Sequence, residues 1–131
     1  MNLRMKTNLD TESKLNELQA ALQLSSKAAV MRLSIGCSLK MDGDPRTING
    51  QVIHYDIHKQ NGADYNRFTI FGDDELIYKT LMAQKMGLKL EDDFFFPELT
   101  CAHIERGIKE LYADYKLLNN KDKLFKKLME G

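Results

Sequence analysis

The chain has 131 residues, of which 43% are hydrophobic, and its 19 basic and 19 acidic side chains give a formal net charge of zero. This length and composition predict one globular domain, residues 1–131, with a sizeable core. No run of eighteen apolar residues occurs, which excludes a transmembrane helix. The N-terminal segment lacks the apolar core of a signal peptide, so we expect a cytoplasmic protein.

The neutral total conceals an uneven distribution of charge. Residues 1–40 carry six basic against three acidic side chains, residues 41–99 six against eleven, and residues 100–131 seven against five. Phosphate binding needs a local basic surface rather than a basic total, so both ends of the chain are candidates for it. The alternative is that scattered lysines only keep the surface soluble.

The first predicted element is a short strand. Leu3, Met5 and Thr7 alternate with polar residues, which is the pattern of a half-buried strand. A first helix should follow, with Asp10 or Thr11 as its N-cap. Its apolar stripe is formed by Leu15, Leu18 and Leu22.

A second helix is predicted after a break at Gln23 and Leu24. Ser25 is expected to cap it, with Leu24 packed ahead of the cap. This helix is apolar nearly all round apart from Arg32 and its serines, so it should be largely buried.

Strand, helix, turn and helix within about forty residues is the outline of a ribbon-helix-helix unit, and the run NLDTESKLNELQAALQLSSKAAVMRLSIGCSL resembles that family. The family usually has a glycine where Gln23 stands. A left-handed residue other than glycine costs roughly 1 kcal/mol there, so we expect a different turn. A lone strand cannot complete a ribbon, so the resemblance also implies a homo-oligomer, formed by strand pairing or helix packing.

In ribbon-helix-helix proteins, outward strand residues touch DNA and amides at the start of the second helix hold a phosphate. Side chains two apart on a strand point the same way, and a helix N-terminus favours anions. Two lysines on the helices extend the basic face. The predicted DNA contacts are therefore Arg4, Lys6, Lys14, Ser25, Ser26 and Lys27.

Residues 41–62 are predicted to form an irregular loop, with a strand over Gln51–Ile57. His54 and His58 are four residues apart, but alternation in this segment would separate them and no third ligand is near. We therefore predict no metal site, since structural zinc takes four ligands. Cys37 and Cys101 lie outside any CxxC pattern and are interpreted as small buried hydrophobes.

The stretch DYNRFTIFGDD, residues 64–74, could be taken for an active site. Asp73 and Asp74 precede a helical pattern, however, which favours them as caps. Catalytic carboxylates would need a partner acid or a metal, and none is visible. Tyr65, Phe68 and Ile70 are predicted to be core residues.

A final long helix is predicted to begin near Pro97, because proline is favoured in the first turn. Its apolar stripe consists of Ile104, Ile108, Leu111, Tyr115 and Leu118. His103 and Arg106 are expected on another side of this helix, open to a charged partner. Lys121 to Lys127 form a basic tail.

The segments GADYNRFTIFGDDELIYKTL and AHIERGIKELY resemble the signature of the DndE family, the small component of the bacterial DNA sulfur-modification (phosphorothioation) machinery. The matching motifs are Asn-Arg-Phe/Tyr-Thr-hydrophobic-hydrophobic-Gly and His-Ile-x-Arg-Gly. With the N-terminal unit, the resemblance spans most of the chain. It departs in a longer acidic middle region.

This resemblance implies a mainly α domain: a ribbon-helix-helix-like unit (1–40), a loop (41–62), and the core motif with C-terminal helices (63–131). It also implies a non-enzymatic partner of other phosphorothioation subunits, which binds DNA with a preference for nicked duplex. No cofactor or catalytic residue is predicted. Further candidate contacts to DNA or a partner are Arg32, Asn66, Arg67, His103 and Arg106.

Two other functions stay open on the sequence. A ribbon-helix-helix repressor would recognise an operator through Arg4 and Lys6. A nicking activity has also been proposed in the family, and a nickase would use Asp73, Asp74 or His103. Specific operator binding would favour the first, and metal-dependent relaxation of supercoiled plasmid the second.

Overall fold

The computed structural model describes residues 1–130 and consists mainly of helices, as predicted. The strands are β1 (Arg4–Lys6), β2 (Thr47–Ile48), β3 (Gln51–Val52) and β4 (Asp64–Asn66). The helices are α1 (Leu9–Leu22), α2 (Lys27–Leu39), α3 (Arg67–Phe71), α4 (Glu75–Met86), α5 (Thr100–Leu118) and α6 (Lys121–Glu130). Short 3₁₀ turns lie at Ile57–Lys59 and Gly72–Asp74, and a π-type turn at Phe94–Leu99.

The core is built around the packing of α2 against α5. Val30, Met31 and Ile35 of α2 and Ile104 and Ile108 of α5 are fully buried. The two helices approach closely at Gly107, where a Cβ atom would overlap with the backbone of Ser34. The predicted apolar stripes are confirmed, since the members of the α1 stripe are buried and those of the α5 stripe are buried or half-buried. Both cysteines are buried free thiols, also as predicted.

The caps of α1 and α2 differ by a residue or two from the sequence expectation. Asn8, not Asp10 or Thr11, caps α1 and accepts from the amide of Thr11 at 2.7 Å. Ser26 rather than Ser25 caps α2, accepting from the amide of Ala29 at 3.1 Å. Between the helices Gln23 is left-handed, with φ 57°. The turn therefore keeps the geometry that glycine usually supplies, and our expectation of a different turn was wrong.

Strand β1 has a partner in its own chain. It pairs antiparallel with β4, with Met5 opposite Tyr65 and Lys6 opposite Asp64. The expectation that this strand needs a second copy to form a ribbon is therefore wrong, because a segment sixty residues away in sequence supplies the second strand. Met5 is fully buried on the inner face of the pair.

The segment 41–62 contains a small hairpin. Strands β2 and β3 pair through a turn at Asn49 and Gly50, which both have positive φ, as hairpin turns of two residues require. The predicted strand over Gln51–Ile57 is thus limited to its first two residues. His54 lies within 3.1 Å of Glu98, and the chain then enters the 3₁₀ turn.

The stretch 64–74 is partly as predicted. Ile70 is buried and Tyr65 half-buried, but Phe68 is 63% exposed because it lies on the outer side of α3. Asp73 and Asp74 accept no capping hydrogen bond from α4, so their predicted role as caps is wrong.

Helix α5 begins three residues later than predicted. Phe96, which precedes Pro97 through a cis peptide, has an extended backbone with φ −137° and ψ 122°. The residue before a proline is pushed out of the helical region, so the regular helix starts only at Thr100.

Candidate nucleic-acid interface

Three of the predicted DNA-contacting cations lie in ion pairs within the chain. Arg4 is 3.0 Å from Asp64, and Lys14 is 2.6 Å from Asp10 one helical turn away. Both pairs have an exposed carboxylate, and exposed pairs of this kind contribute little to stability. A phosphate therefore can replace either carboxylate at low cost.

Lys27 is held more firmly, by Glu12 at 3.0 Å. Glu12 also accepts from the hydroxyls of Thr7 at 2.6 Å and Tyr65 at 2.5 Å. Burial opposes ionisation of Glu12, but the hydrogen bonds from Thr7, Tyr65 and Lys27 outweigh it and lower the pKa of this carboxyl. Sequence analysis missed this carboxylate, which joins β1, β4, α1 and α2. A carboxylate in the first turn of a helix is commonplace, and nothing in the sequence indicates the partners of Glu12.

The predicted contacts do not share one face. Lys14 lies 5.5 Å from the ring of Tyr112 on α5, whereas Lys27 meets Glu12 on the side facing β4. Positions 12 and 14 of one helix point in nearly opposite directions. Arg4 lines a cleft with Asp56, Asp93 and Glu98, where the surrounding charge is negative.

The turn between α1 and α2 gathers donors from two parts of the chain. Within residues 1–130, the amides of Ser25 and Ser26 donate to no backbone carbonyl, and they lie at the start of the 13-residue α2. The Lys121 ammonium, at the start of α6, donates to the side chain of Gln23 at 2.9 Å. The turn therefore combines a helix N-terminus with a lysine that has no carboxylate partner in the described chain.

Helix α6 extends this basic surface along α2. Lys123 and Lys126 are exposed, and neither forms an ion pair within residues 1–130. Leu124 is fully buried and fixes the helix on the core. At the far end the Lys40 ammonium donates to the carbonyl of Leu128 at 2.8 Å. The predicted basic tail is thus an ordered helix with its charges toward solvent.

All five further candidate contacts have partners within the chain, and the first two are Arg67 and Arg32. The Arg67 guanidinium is 1% exposed and binds the carboxylates of Glu75 and Asp92 and the carbonyl of Asn2. The hydrogen bond with Asp92 raises the pKa of Arg67, although desolvation acts in the opposite direction. Arg32 donates to the carbonyl of Ile70 at 2.7 Å.

Asn66 has a structural role as well. Its side chain caps α3, accepting from the amide of Phe68 at 2.8 Å. The availability predicted for Arg67 is therefore wrong, and Arg32 and Asn66 have intramolecular partners.

His103 and Arg106 form a polar group with Ser38, in which His103 and Ser38 are buried and Arg106 is half-buried. Arg106 donates to the hydroxyl of Ser38 at 2.8 Å and to carbonyls at the end of α2 and just beyond it. The Ser38 hydroxyl, which accepts from Arg106, also lies 2.8 Å from Nδ1 of His103. Desolvation, assisted by Arg106, lowers the pKa of His103 to about 3.

The expected openness of His103 and Arg106 to a partner is also wrong. His103 is 1% exposed, and Arg106 caps the C-terminal end of α2. A signal for His103 was present in the sequence. Positions 103, 107 and 111 lie one turn apart and continue the buried side of α5, where Gly107 allows close packing.

The nickase candidates are not brought together. Asp73 and Asp74 are exposed at the start of α4, whereas His103 is enclosed between α2 and α5. Residues 1–130 hold no group of three or more His, Cys, Asp or Glu side chains arranged for a metal ion. Over the same residues, no helix is both long and apolar enough to cross a membrane.

Comparison with known proteins identifies the family of this chain. The family model described as "DNA sulphur modification protein DndE" matches residues 4–119. A search of curated proteins finds no significant match. The crystal structure of DndE from Escherichia coli B7A, described as involved in DNA phosphorothioation modification, is similar in fold, with a TM-score of 0.58 and 17% identity. The similarity covers 85% of this chain and 97% of that one. With a match over most of its length, the chain belongs to the DndE family.

Proposed function

We propose that this chain is a non-enzymatic DNA-binding accessory protein of DNA phosphorothioate modification. Its membership of the DndE family over residues 4–119 carries the proposal, because it ties the chain to DNA sulfur modification. In this role the chain holds duplex DNA, preferably at a nick, for the other subunits of the system. It binds through the phosphate backbone.

We place the phosphate contact at the turn between α1 and α2 and the start of α6. Support comes from the amides of Ser25 and Ser26 at the N-terminus of α2 and from Lys121 beside Gln23. Lys123 and Lys126 continue the basic surface, while Lys27 contributes less because Glu12 holds it. Backbone amides and lysines position a protein on DNA without selecting a sequence.

The structure does not favour the two other functions, a ribbon-helix-helix repressor and a nickase. A ribbon-helix-helix repressor needs its strand to pair with a second copy, and here β1 pairs with β4. A nickase would use Asp73, Asp74 or His103, but His103 is buried, and within residues 1–130 Asp73 and Asp74 belong to no group of three side chains that could hold a metal ion.

The proposal is tested by fluorescence anisotropy with intact, nicked and single-stranded DNA of one sequence, at several salt concentrations. Replacing Lys121 and Lys123 by alanine should weaken binding evenly across sequences and lower the salt slope by about one per lost contact. Lys59→Ala, an exposed lysine of the acidic middle region, is the matched control and should bind as the parent does.

A second variant distinguishes the surfaces. Lys6→Ala removes a cation from the initially predicted strand face. If it weakens binding while the Lys121 and Lys123 variant does not, the contact lies on β1. If the parent chain binds none of the three DNA forms at low salt, DNA binding itself is refuted.

A further inference from the structure

A small cavity lies between α5 and the segment of residues 45–60. Its volume is about 200 Å³. The floor is formed by Glu98, Cys101, Ala102 and Glu105, whose spacing places them on one face of a helix. The opposite wall is largely apolar and includes Ile48, Ile53 and Tyr55. Sites for drug-sized ligands measure about 300–1,000 Å³, so this cavity suits a single functional group on a short chain.

Glu105 is a half-buried carboxylate on this floor, and within residues 1–130 it forms no ion pair with a lysine or arginine. Its hydrogen bonds come from neutral donors and reach one oxygen. Oε1 accepts from the side-chain amides of Asn8 and Gln60, each at 3.3 Å, and from the Cys101 thiol at 3.4 Å. Oε2 accepts from no group of the described chain, although each carboxylate oxygen can accept two hydrogen bonds. The negative charge of Glu105 is therefore uncompensated at the cavity.

The other acidic groups of the floor are already satisfied. Glu98 is 3.1 Å from Arg46 and 3.1 Å from His54. Burial, together with the nearby Glu105 carboxylate, raises the pKa of the Cys101 thiol, so that this group stays neutral. Glu105 is thus the carboxylate of the floor that is open to a cation from outside.

Neither an anion nor a metal ion fits this cavity. Arg46 is occupied by Asp44 and Glu98, and the exposed Lys59 lines the cavity together with the oppositely charged Asp56. Residues 1–130 offer no set of three His, Cys, Asp or Glu side chains for a metal. An organic cation does fit, because its N–H groups donate to a carboxylate while its alkyl stem packs on apolar walls.

We propose that this cavity binds an alkyl ammonium or guanidinium group, with Glu105 as its charge partner. The nitrogen donates to Oε2 of Glu105, and the alkyl stem lies between Ala102 and the apolar wall. Such a group belongs either to a free amine or to a lysine or arginine side chain of another protein.

The site does not rest on the proposed DNA binding. Asn8, which lines the cavity, lies at the start of α1, whereas the proposed phosphate contact lies beyond the end of that helix. A helix of 14 residues separates the two by about 21 Å. A failure of one proposal therefore leaves the other unaffected.

NMR spectra of the ¹⁵N-labelled full chain test the proposal by titration with agmatine, an alkyl chain that carries an ammonium and a guanidinium group. Low ionic strength limits the screening of charge. The amide signals of Gln60, Cys101, Ala102 and Glu105 should shift together and saturate, with a Kd of about 1 mM for a ligand of this size. Pentanoate, an alkyl chain of opposite charge, should leave these signals in place.

Two variants separate charge from shape. Glu105→Gln keeps the size of the side chain but removes its charge, and should weaken agmatine binding about tenfold or more. The matched control is Glu110→Gln, an exposed glutamate of α5 outside this cavity, which should bind as the parent does. Ala102→Met fills the cavity without changing a charge and should also abolish binding. The spectrum of each variant verifies its fold.

The capped peptide acetyl-Gly-Arg-Gly-amide identifies the source of the cation. If it shifts the same signals at least as strongly as agmatine, the cavity takes a basic side chain of another protein, and if only agmatine does, it takes a free amine. The proposal is contradicted if neither ligand gives saturable shifts, or if Glu105→Gln binds like the parent. Parental binding by Ala102→Met also contradicts it, because agmatine would then be held by surface charge outside the cavity.

Discussion

At the residue scale, three ionisable side chains that we expected to be free are bound within the protein: Arg67 and His103 are buried, and Arg106 is half-buried. Arg67 and Arg106 have their polar atoms bound to carboxylates, hydroxyls or carbonyls, whereas His103 meets Ser38 through Nδ1 and its buried Nε2 has no partner within residues 1–130. Buried charges of this kind are tolerated only when they are paired. The arginines of the two family motifs in this chain, Arg67 and Arg106, therefore act as structural centres that connect distant segments.

Arg67 should tolerate no replacement by lysine. The guanidinium reaches Glu75 and Asp92 at once, which a single ammonium on a lysine stem cannot do. Arg67→Lys should reduce the free energy of unfolding by about 1.5–3 kcal/mol, the contribution of a hydrogen bond to a charged group. Urea denaturation measures it, with Arg4→Lys as an exposed control near zero. Equal midpoints for the two variants would refute the role of Arg67.

His103 should make the protein sensitive to mild acid. Its pKa is lowered to about 3 in the fold, against an ordinary value of 6.5. The unfolded chain therefore binds a proton below pH 6.5 that the folded chain does not, and stability is lost as the pH falls. The slope reaches about 1.4 kcal/mol per pH unit for one proton.

Urea denaturation between pH 7.5 and 5 tests the predicted loss of stability. In this pH range most carboxyl groups stay ionised. His103→Asn lacks the titrating ring and should show a shallower fall of stability with pH, although it is less stable at every pH. An unchanged slope in His103→Asn would assign the acid sensitivity to other groups.

At the scale of elements, the contact between α2 and α5 depends on Gly107. Alanine is a better helix former than glycine by about 1 kcal/mol, yet its Cβ would overlap with Ser34. Gly107→Ala should therefore destabilise the protein by about 1–3 kcal/mol, as overpacked cores do. The glycine of the His-Ile-x-Arg-Gly motif thus has a packing role in this chain.

Gly36 in α2 provides the matched control. A Cβ at Gly36 would meet nothing within 4 Å. Gly36→Ala should accordingly raise stability by about 0.5–1 kcal/mol, because it only adds helix propensity. Thermal denaturation of Gly107→Ala and Gly36→Ala measures the two changes in stability. A stabilising Gly107→Ala would show that α2 and α5 can separate at low cost.

The elements also show which features a sequence can predict. The leucine stripes of α1 and the isoleucines of α5 follow from helical periodicity, which depends only on neighbours along the chain. The caps of α1 and α2 were misplaced by one to three residues because tertiary packing selects among adjacent capping residues, whereas the start of α5 was misplaced because Phe96, before Pro97, is extended. The pairing of β1 with β4 was missed because only the fold brings residues 4–6 and 64–66 together.

The candidate site was less predictable than the fold for the same reason. Residue type identified Lys27 as a cation, but not that Glu12 would hold it. Nor does any local pattern indicate that Lys121 lies beside Gln23, 98 positions away. Polar side chains can face inward or outward, and their direction is fixed by partners distant in sequence.

At the scale of the whole molecule, part of the basic charge is neutralised by carboxylates of the same chain. The basic side chains that form ion pairs with carboxylates within residues 1–130 are Arg4, Lys14, Lys27, Arg46, Arg67, Lys79, Lys116 and Lys127. The remaining accessible lysines on α6 are few. A net charge of zero adds no long-range attraction to DNA.

We therefore expect DNA binding with a shallow salt dependence. Contacts from Lys121, Lys123 and Lys126 amount to about three phosphates, which predicts a slope of about −3 in a plot of log K against log salt. Anisotropy titrations at four or more salt concentrations measure it. A slope near −10 for the parent chain on a short duplex would contradict this prediction. It would mean that many more cations bind phosphate than the three lysines of α6, including cations that the structure shows paired with carboxylates.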